Sequence, residues 1–580
     1  MQPVDFTTLT AACAELRAEW LPARFEQVYQ SDRYTIALAL RTFKQRGWLT
    51  LSWHPQAARV CMGDSPPRTP DTFTFSQQLR HQLNGLALVA LQPIAAWERV
   101  IDLQFAQRPG EDALWHLYVE IMGNYSNVVL ANQDNLIVTA AHQVSNQQSS
   151  VRPIQTGQPY EVPPILTHSV PSLEEPFQRW QERLSLIPTA LKRSLIKNYR
   201  GLSSALVTGM IVAAELEPEQ LTESLDLAAW HRLFQCWQKW LNALQTEQFC
   251  PGWSASGYTV MGWGSTKPEK TVQSLLHRYY TDQLNQQEFV QLRHQISQKL
   301  SNLLKKLLVK AQDFQTRLQQ SDRADQYREQ ADLLMAYLHE WQPGMTEIRL
   351  PDFVTNQPIT IPLEPERNAV QNAQALYKRH QKLKRSRAAI EPLLAEVQAE
   401  IDYLEQIEVS MMQDHYQTSD DLTALAEIRD ELIQQGYLSD PEQRYRHVAN
   451  SSPNFLRYHT PSGFEVLIGR NNRQNDHLTF RLASDYDLWF HTQEIPGSHV
   501  LLRVEPGSVA EEADLQFTAD LAAYYSRARQ SDQAPVVYTE PKYVFKPKGA
   551  KPGMAIYKQE QILWGEPQRG KNYATLETKE

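Results

Sequence analysis

Hydrophobic and polar positions change rhythm four times along the chain. In residues 1–170, a helical opening ends near Trp20. It is followed by "RFEQVYQ", "YTIALALR", "GWLTLSW" and "AARVCM", which alternate or cluster like the strands of a meander. "FSQQLRHQLNGLALVAL" reads as a helix on Phe75, Leu79 and Leu83, closed near Gly85. "WERVIDLQFA", "LWHLYVEIMG", "NVVLAN" and "NLIVTAA" predict further strands, so an α/β domain is expected. Residues 143–182 are rich in Gln, Ser and Pro and read as a linker.

Residues 171–275 are expected to form a helical domain. In "LIPTALKRSLIKNYRGLSSALVTGMIVAAEL", two helical runs flank "YRGLSS"; Gly201 permits the turn and Ser203 or Ser204 can cap the second helix. The segment resembles a helix-hairpin-helix motif, whose hairpin amides and following helix N-terminus suit backbone phosphate. A plain helical hairpin in a bundle fits the spacing equally well.

From 276 to 440 the period becomes that of long amphipathic helices. Leu284, Phe289, Leu292, Ile296, Leu300, Leu303, Leu307, Phe314 and Leu318 predict one over 284–342; Ala373, Tyr377, Leu383, Ile390, Leu394, Val397, Ile401 and Leu404 predict another over 366–435. Between them, "TEIRLPDFVTNQPITIPLEP" reads as a small β element at 345–365 with a turn at Asn356. Two such helices close best as an antiparallel coiled-coil arm, and a helix of about 55 residues reaches roughly 80 Å. Residues 441–566 alternate in strand fashion, with turns at Ser462 and Gly463, Asn471 and Asn472, and Pro496 and Gly497. A helix, "AEEADLQFTADLAAYYSRARQ", precedes "PVVYTE", a lysine-rich loop and a last strand, "AIYKQEQILWG". Residues 567–580 read as a disordered tail. The fold class expected is multidomain α+β.

Length and composition narrow the function classes. A chain of 580 residues exceeds one core, so three to five domains are expected. It has no apolar run of about 18 residues and no signal-peptide order in its opening, so no membrane association is expected. Cys13, Cys61, Cys236 and Cys250 are scattered without a CxxC pair, which argues against a zinc ribbon or a disulfide framework and suits a reducing cytoplasm. The net charge of −9 allows a nucleic-acid partner only if positive charge is concentrated locally.

The stretch "SDYDLWFHTQEIPGSHVLLR" at 484–503 holds the raw material of a metal or acid–base site. Asp487, His491 and His499 match no standard zinc spacing, and no cysteine is near. Ser498 and His499 are strand neighbours and point to opposite faces, which disfavours a nucleophile pair. With Pro496 and Gly497 as a hairpin turn, His491 and His499 fall on facing strands and can pair as hydrogen-bonding groups. The richer reading is a polar, aromatic surface for RNA: Arg470, Asn471, Asn472, Arg473, Asn475, His477, Trp489, His491 and His499, which offer amides and guanidinium groups for phosphate and rings for bases. The following helix adds Tyr524, Tyr525, Arg527 and Arg529, and the loop adds Lys542, Lys546, Lys548 and Lys551. That lysine loop also fits a solvated turn, but its place beside the Arg/Asn turn favours RNA phosphate.

"GFEVLIGRNNRQNDHLTFRLASDYDLWFHTQEIPGSHVLLR", "AAYYSRAR" and "VFKPKGAKPGM" resemble the RNA-binding module of the NFACT family, which includes bacterial ribosome-quality-control factors and proteins once labelled fibronectin-binding. "FSQQLRHQL", "WERVIDLQF" and "LYVEIMGNYSNVVLAN" resemble its N-terminal domain, and "NAQALYKRHQKLKRSRAAI" the start of its returning coiled-coil helix. The order of segments is the family's, along the whole chain. The resemblance implies a cytoplasmic, monomeric factor without cofactor that binds rRNA of the 50S subunit still carrying peptidyl-tRNA. It also implies recruitment of alanyl-tRNA and polyalanine tailing without mRNA, which marks the nascent chain for degradation. Bond formation would belong to the ribosome, in keeping with the absence of a GxxxxGK[ST] loop. The family's tRNA-critical Asp-Arg pair falls on Glu98 and Arg99, its Glu-Ile-Met segment on Glu120, Ile121 and Met122, and its early acidic position on Asp5, followed here by Phe6 instead of glycine. Read from the strand pattern alone, Glu120 is an exposed residue of a half-buried sheet.

Two other classes stand beside this one. The N-terminal region is distantly similar to formamidopyrimidine-type DNA glycosylases, but those need an N-terminal proline amine, and Pro3 is out of place here. A fibronectin-binding surface adhesin would need an export signal or wall anchor, and neither pattern is seen.

Overall fold

A computed structural model describes residues 1–66, 70–145, 147–149, 152–164, 168–412, 416–439 and 454–577. They divide into two compact units, Met1–Asn285 and Gln286–Glu580. The boundary expected near 440 lies outside the described residues.

The first unit is built on a sheet of nine described strands in which Ala23–Asp32 and Ala87–Pro93 pair at the centre and each meander runs outward to one edge. Its strand pairs are antiparallel, so the domain is α+β and not the α/β type expected. The helix Phe6–Trp20 buries Leu9, Cys13 and Leu16 in a core that includes Phe25, Leu38, Leu49, Leu103 and Phe105. The helix Thr74–Leu83 ends where expected, but "LALVAL" is the strand Ala87–Pro93 and no part of that helix. Gly85 at φ +82 allows the reversal between them.

The described residues of 143–164 are not a free linker. Val144 and Ile154 bridge, Leu136 bridges Pro159, and Ile154 and Tyr160 are buried against Tyr118 and Val129. The helices Phe177–Ser185, Leu191–Asn198, Ser204–Ala213 and Leu227–Thr246 surround a tryptophan-rich core of Trp180, Trp230, Trp237 and Trp240.

The first long helix is Val272–Ser321, starting 12 residues before the expected 284, and is followed by Ala324–Ala336. Its early start is decided from far away: Glu15 accepts from the amides of Val272 at 2.8 Å and Gln273 at 3.0 Å, serving as a remote cap. The second expected helix is two, Ala369–Ser410 and Ser419–Gln434, the latter begun by a Thr418/Asp421 capping box. The long helices run antiparallel within the second unit, since Arg293 meets Met411, Asp322 meets Arg387 and Ala324 meets His380. Phe289, Ile296 and Leu300 share a buried seam with Val397, Ile401 and Leu404. The hairpin Glu347–Pro351 and Pro358–Pro362 turns at Asn356, φ +55, as expected.

The last part of the chain folds around an antiparallel sheet of six described strands, with Leu488–Thr492, Val500–Leu502 and Ala534–Thr539 in its interior. One face packs on the helix Glu512–Tyr524; the other buries Leu467, Trp489, Leu501 and Val537 beneath Leu478 and Val544. Three expectations are corrected. Residues 472–482 are helical and not strand or turn, because Asn471 caps the helix Asn472–His477 by accepting from the Gln474 amide at 2.9 Å. "AIYKQEQILWG" is two strands, Ile556–Tyr557 and Gln561–Gly565. The tail expected to be disordered forms the helix Pro567–Glu577, held by Tyr573 stacked on Phe517 (4.3 Å between ring centroids) and by Arg569 paired with Asp520 at 3.0 Å. Gly570 permits the close approach, since a Cβ there would stand 2.4 Å from the Asp520 carbonyl oxygen.

Candidate nucleic-acid interface

In the first unit, three of the expected tRNA residues meet around one hairpin. Leu191–Asn198 and Ser204–Ala213 are joined by residues 199–203, with Gly201 at φ +78 and Ser203 as the cap of the second helix. Asp5 caps the helix Phe6–Trp20 through the Thr8 amide at 2.8 Å, and its other oxygen accepts from the Ser203 hydroxyl. Glu98 and Arg99 lie in the turn between the strands Ala87–Pro93 and Val100–Ala106. The Arg200 guanidinium stands 3.9 Å from the Glu98 carboxylate, and Arg99 reaches the Val4 carbonyl at 3.4 Å.

What holds that turn is Trp97, which sits at φ +66, a left-handed conformation costly for a bulky residue. Phe6 stacks on it at 4.9 Å and Trp240 packs at 5.7 Å. Gly201 leaves room for its ring, since a Cβ there would lie 2.6 Å from Cε3. The hairpin and the turn therefore position each other. A cavity of about 670 Å³ lies beside them, with Asp5, Lys192, Ser204, Thr208 and Trp263 in its wall. Arg200 lies within "YRGLSS", where the sequence pattern shows a basic residue at the tip but not its reach to Glu98.

Glu120 pairs in register with Val100, and the Ile121 amide donates to the Arg99 carbonyl at 2.9 Å, so this segment lies next to the Glu98/Arg99 turn. Glu120 is fully buried and not exposed. Its carboxylate accepts from Arg152 at 3.0 Å on one oxygen and from the Tyr160 hydroxyl at 2.8 Å on the other. Arg152 and Tyr160 come from the stretch read as a linker. Ile121 is buried, and Met122 is half-buried with its amide bound to Ser126 Oγ at 2.9 Å.

In the second unit, the expected RNA surface is largely internal. Asn471, Asn472, Asn475, Trp489 and His499 are buried, and the Arg470 side chain nearly so. Arg470 pairs with Asp421; Asn471 and Gln474 donate to Glu427 at 2.6 and 2.9 Å; Asn472 donates to Glu431 at 3.1 Å; Arg473 donates to Gln434 at 2.7 Å. Every one of these acceptors belongs to the helix Ser419–Gln434, so the Arg/Asn segment is a joint between that helix and the sheet. Burial raises the Glu431 carboxyl, opposed by hydrogen bonds from Tyr403 and Asn472. Gln406 grips Gly497 through both its amide and its carbonyl, and Arg527 pairs with Glu405 at 2.6 Å. Arg529 donates to the Met412 carbonyl at 3.2 Å, and Tyr524 lies under its guanidinium.

Within 484–503, His491 and His499 do face each other, ring edge to ring face at 5.4 Å. They do not hydrogen-bond each other: His491 Nε2 donates to the Gly497 carbonyl at 3.2 Å, and His499 Nδ1 meets Thr479 Oγ1 at 2.7 Å. Trp489 donates to the same Thr479 oxygen at 3.0 Å. Burial pulls His491 down to about 4 and His499 to about 3, the latter helped by His491. Asp487 is buried and orients its neighbours, accepting from the amides of Ser484 at 2.7 Å and Val504 at 3.1 Å. His477 is half-buried beside Phe455. The lysines divide: Lys546 pairs with Asp476, Lys551 sits over the rings of Tyr403 (4.4 Å) and Tyr437 (4.8 Å), Lys542 pairs with Glu540, and Lys548 is exposed.

The family likenesses divide the chain near residue 450 and not at the boundary between the two units. The NFACT N-terminal and middle domains match residues 5–450, and the NFACT protein RNA binding domain matches residues 454–558. A protein of Streptococcus pneumoniae named "Rqc2 homolog RqcH" is 30% identical over 556 residues, 95% of each chain. One of the same name from Bacillus subtilis is 27% identical over 560 residues, covering 95% of this chain and 96% of its own. The solved C-terminal part of the fibronectin/fibrinogen-binding protein from Streptococcus suis is 29% identical, covers 49% of this chain and 98% of its own, and has a TM-score of 0.37. Matched over most of its length and by a relative at 30% identity, this chain belongs to the NFACT family.

Proposed function

We propose that the protein is a ribosome-quality-control factor that binds the split 50S subunit carrying peptidyl-tRNA, recruits alanyl-tRNA and promotes polyalanine tailing of the stalled chain. The relatives named "Rqc2 homolog RqcH" and the RNA-binding-domain match support the ribosomal role. The observation that carries the tRNA part is the meeting of Asp5, Glu98 and Arg99 with Arg200 and Ser203 at one hairpin, from segments far apart in sequence. In this reading the Arg99 guanidinium takes a phosphate or base edge, Glu98 holds Arg200 beside it, and Glu120, Ile121 and Met122 set the floor of the site. The ribosome supplies the peptidyl-transferase chemistry and the protein supplies positioning. Residues 470–475 with Trp489, His491 and His499 shape the second RNA-contacting region from within. The protein works in the cytoplasm, as a monomer.

The test is a sucrose gradient after ribosome stalling. The protein is expected in 50S fractions that carry peptidyl-tRNA, with binding that weakens by roughly 10³-fold between 50 and 200 mM salt if six phosphates are contacted. Glu98→Ala with Arg99→Ala is expected to keep 50S binding and to lose alanyl-tRNA and tailing. Wild-type protein confined to free fractions at low salt would overturn the ribosomal role; normal alanyl-tRNA in pull-downs of the double variant would overturn the assignment of the site.

A further inference from the structure

With the Arg/Asn segment spent on the joint, the exposed chemistry of the last domain lies elsewhere. Val544–Phe545 pairs with Ile556–Tyr557 as a two-stranded ribbon. Alternation turns Val544 into the core and Tyr557 toward Trp489, 5.7 Å between ring centroids. Phe545 and Ile556 are therefore directed outward as a facing pair, 43% and 52% exposed. Lysines surround them: Lys558 lies over the Phe545 ring at 5.8 Å and Lys542 over the Tyr543 ring at 5.0 Å. Lys548 and Lys558 are exposed and make no ion pair among the described residues. Of the nearby acids, Glu540 pairs with Lys542 and Asp476 with Lys546, while Glu494 and Glu560 are exposed and act on Tyr557 from beside the ribbon.

The ribbon is preorganised. The loop between its strands is anchored by Lys546 on Asp476, by the Gly553 amide on the same carboxylate at 3.1 Å, and by Lys551 in its tyrosine cage. Gly553, at φ +77, lies so close to Asn472 that a Cβ would stand 2.3 Å from its Oδ1. A flat exposed ring fixed on a ribbon and rimmed by cations offers one π-face to a base and charge to the phosphates on either side. Duplex RNA is read across a broad shape, whereas unpaired bases stack on such rings.

We propose that the Phe545/Ile556 ribbon is a stacking platform for unpaired bases of single-stranded RNA, with Lys548 and Lys558 on the flanking phosphates. This rests on the reading of RNA as the partner and names the face and the form of RNA it takes. Charge complementarity selects RNA over an apolar protein segment, since the exposed pair is rimmed by lysines, of which Lys548 and Lys558 are not taken up by ion pairs among the described residues.

The test uses the full chain, with fluorescent oligouridine of about ten nucleotides against a base-paired hairpin of similar length. Single strands are expected to bind more tightly. Phe545→Ala should weaken that binding about tenfold, Phe545→Leu nearly as much, and Phe545→Trp not at all, because stacking and not apolar bulk is being read. Lys548→Ala with Lys558→Ala should lower the salt slope by about 1.4 units for two single-strand phosphates. Unchanged melting midpoints confirm folded variants. Full binding by Phe545→Ala, full retention by Phe545→Leu (the signature of an apolar protein site), or equal affinity for the paired hairpin would overturn the platform. Wild-type protein that binds 50S subunits yet ignores oligouridine overturns the platform alone; failure to bind either also removes the functional reading beneath it.

Discussion

Asp5 and Ser203 join two helix starts across 198 residues of chain. One carboxylate oxygen caps the helix Phe6–Trp20, and the other holds the hydroxyl that itself caps Ser204–Ala213 through the Leu206 amide at 3.1 Å. The acid assigned to tRNA thus has a structural duty, which is to seat the hairpin beside Glu98.

Asp5→Ala and Ser203→Ala are each expected to cost about 1–2 kcal/mol, as lost helix caps do. Their effects should be non-additive, since they share one bond. Urea melts of both singles and the double variant measure this; an interaction energy near zero in that cycle would show that the bond contributes nothing.

Glu120 and Arg152 form a buried ion pair, and removing one partner strands the other's charge. Arg152→Ala should destabilise the first unit by about 3–5 kcal/mol. Glu120→Gln keeps the shape and should cost less. If Glu120 acts only by holding residues 152–161 on the sheet, Glu120→Gln protein that remains folded will bind tRNA normally; a folded variant that loses tRNA would show that the carboxylate is read directly.

The buried His499 and the half-buried His491 are expected to make the second unit acid-sensitive. Folded His491 and His499 hold pKa values of about 4 and about 3, while the unfolded chain titrates near 6.5. Below about pH 6.5 the unfolded state takes up protons that the folded state refuses, so stability is full above that pH and falls toward pH 4. His499→Gln should flatten the pH dependence of melting between pH 7 and 4.5. A wild-type midpoint that stays constant across that window would remove the histidines as its source.

The lysines should separate by role. Lys551→Ala should lower stability, because it empties the cage of Tyr403 and Tyr437, and leave the salt slope of RNA binding unchanged. Lys548→Ala should do the reverse. Gly553→Ala combines a left-handed backbone with a clash against Asn472 and should destabilise by more than about 1 kcal/mol, with faster proteolysis of the loop 546–555. Equal salt slopes for the Lys548 and Lys551 variants would contradict the division.

Much of the fold was legible because it depends on local signals. Gly201 and Ser203 announced the hairpin, Asn356 the turn of the small β element, and the apolar period the long helices. The strand Ala87–Pro93 was missed because a short apolar run after Gly85 reads equally as the end of a helix. The true start of Val272–Ser321 was missed because its cap, Glu15, is 257 residues away. The helix Pro567–Glu577 was missed because its polar sequence hides two contacts, Tyr573 on Phe517 and the bare backbone of Gly570 on Asp520.

By itself, the sequence determined which chemistry was present and roughly where: a helical hairpin with acids and arginines in the first half, and an Asn, Arg and Lys-rich last domain. Tertiary structure alone decided which of those groups face solvent. Asn471 and Lys548 both look like RNA ligands on paper, yet one is buried against Glu427 and the other is exposed. The reason is physical. A buried polar group must find a partner or carry its desolvation cost, and the partners here lie 40 to 50 residues away along the chain on the helix Ser419–Gln434. Residue type states what a side chain can bond; only packing states which partner it has met.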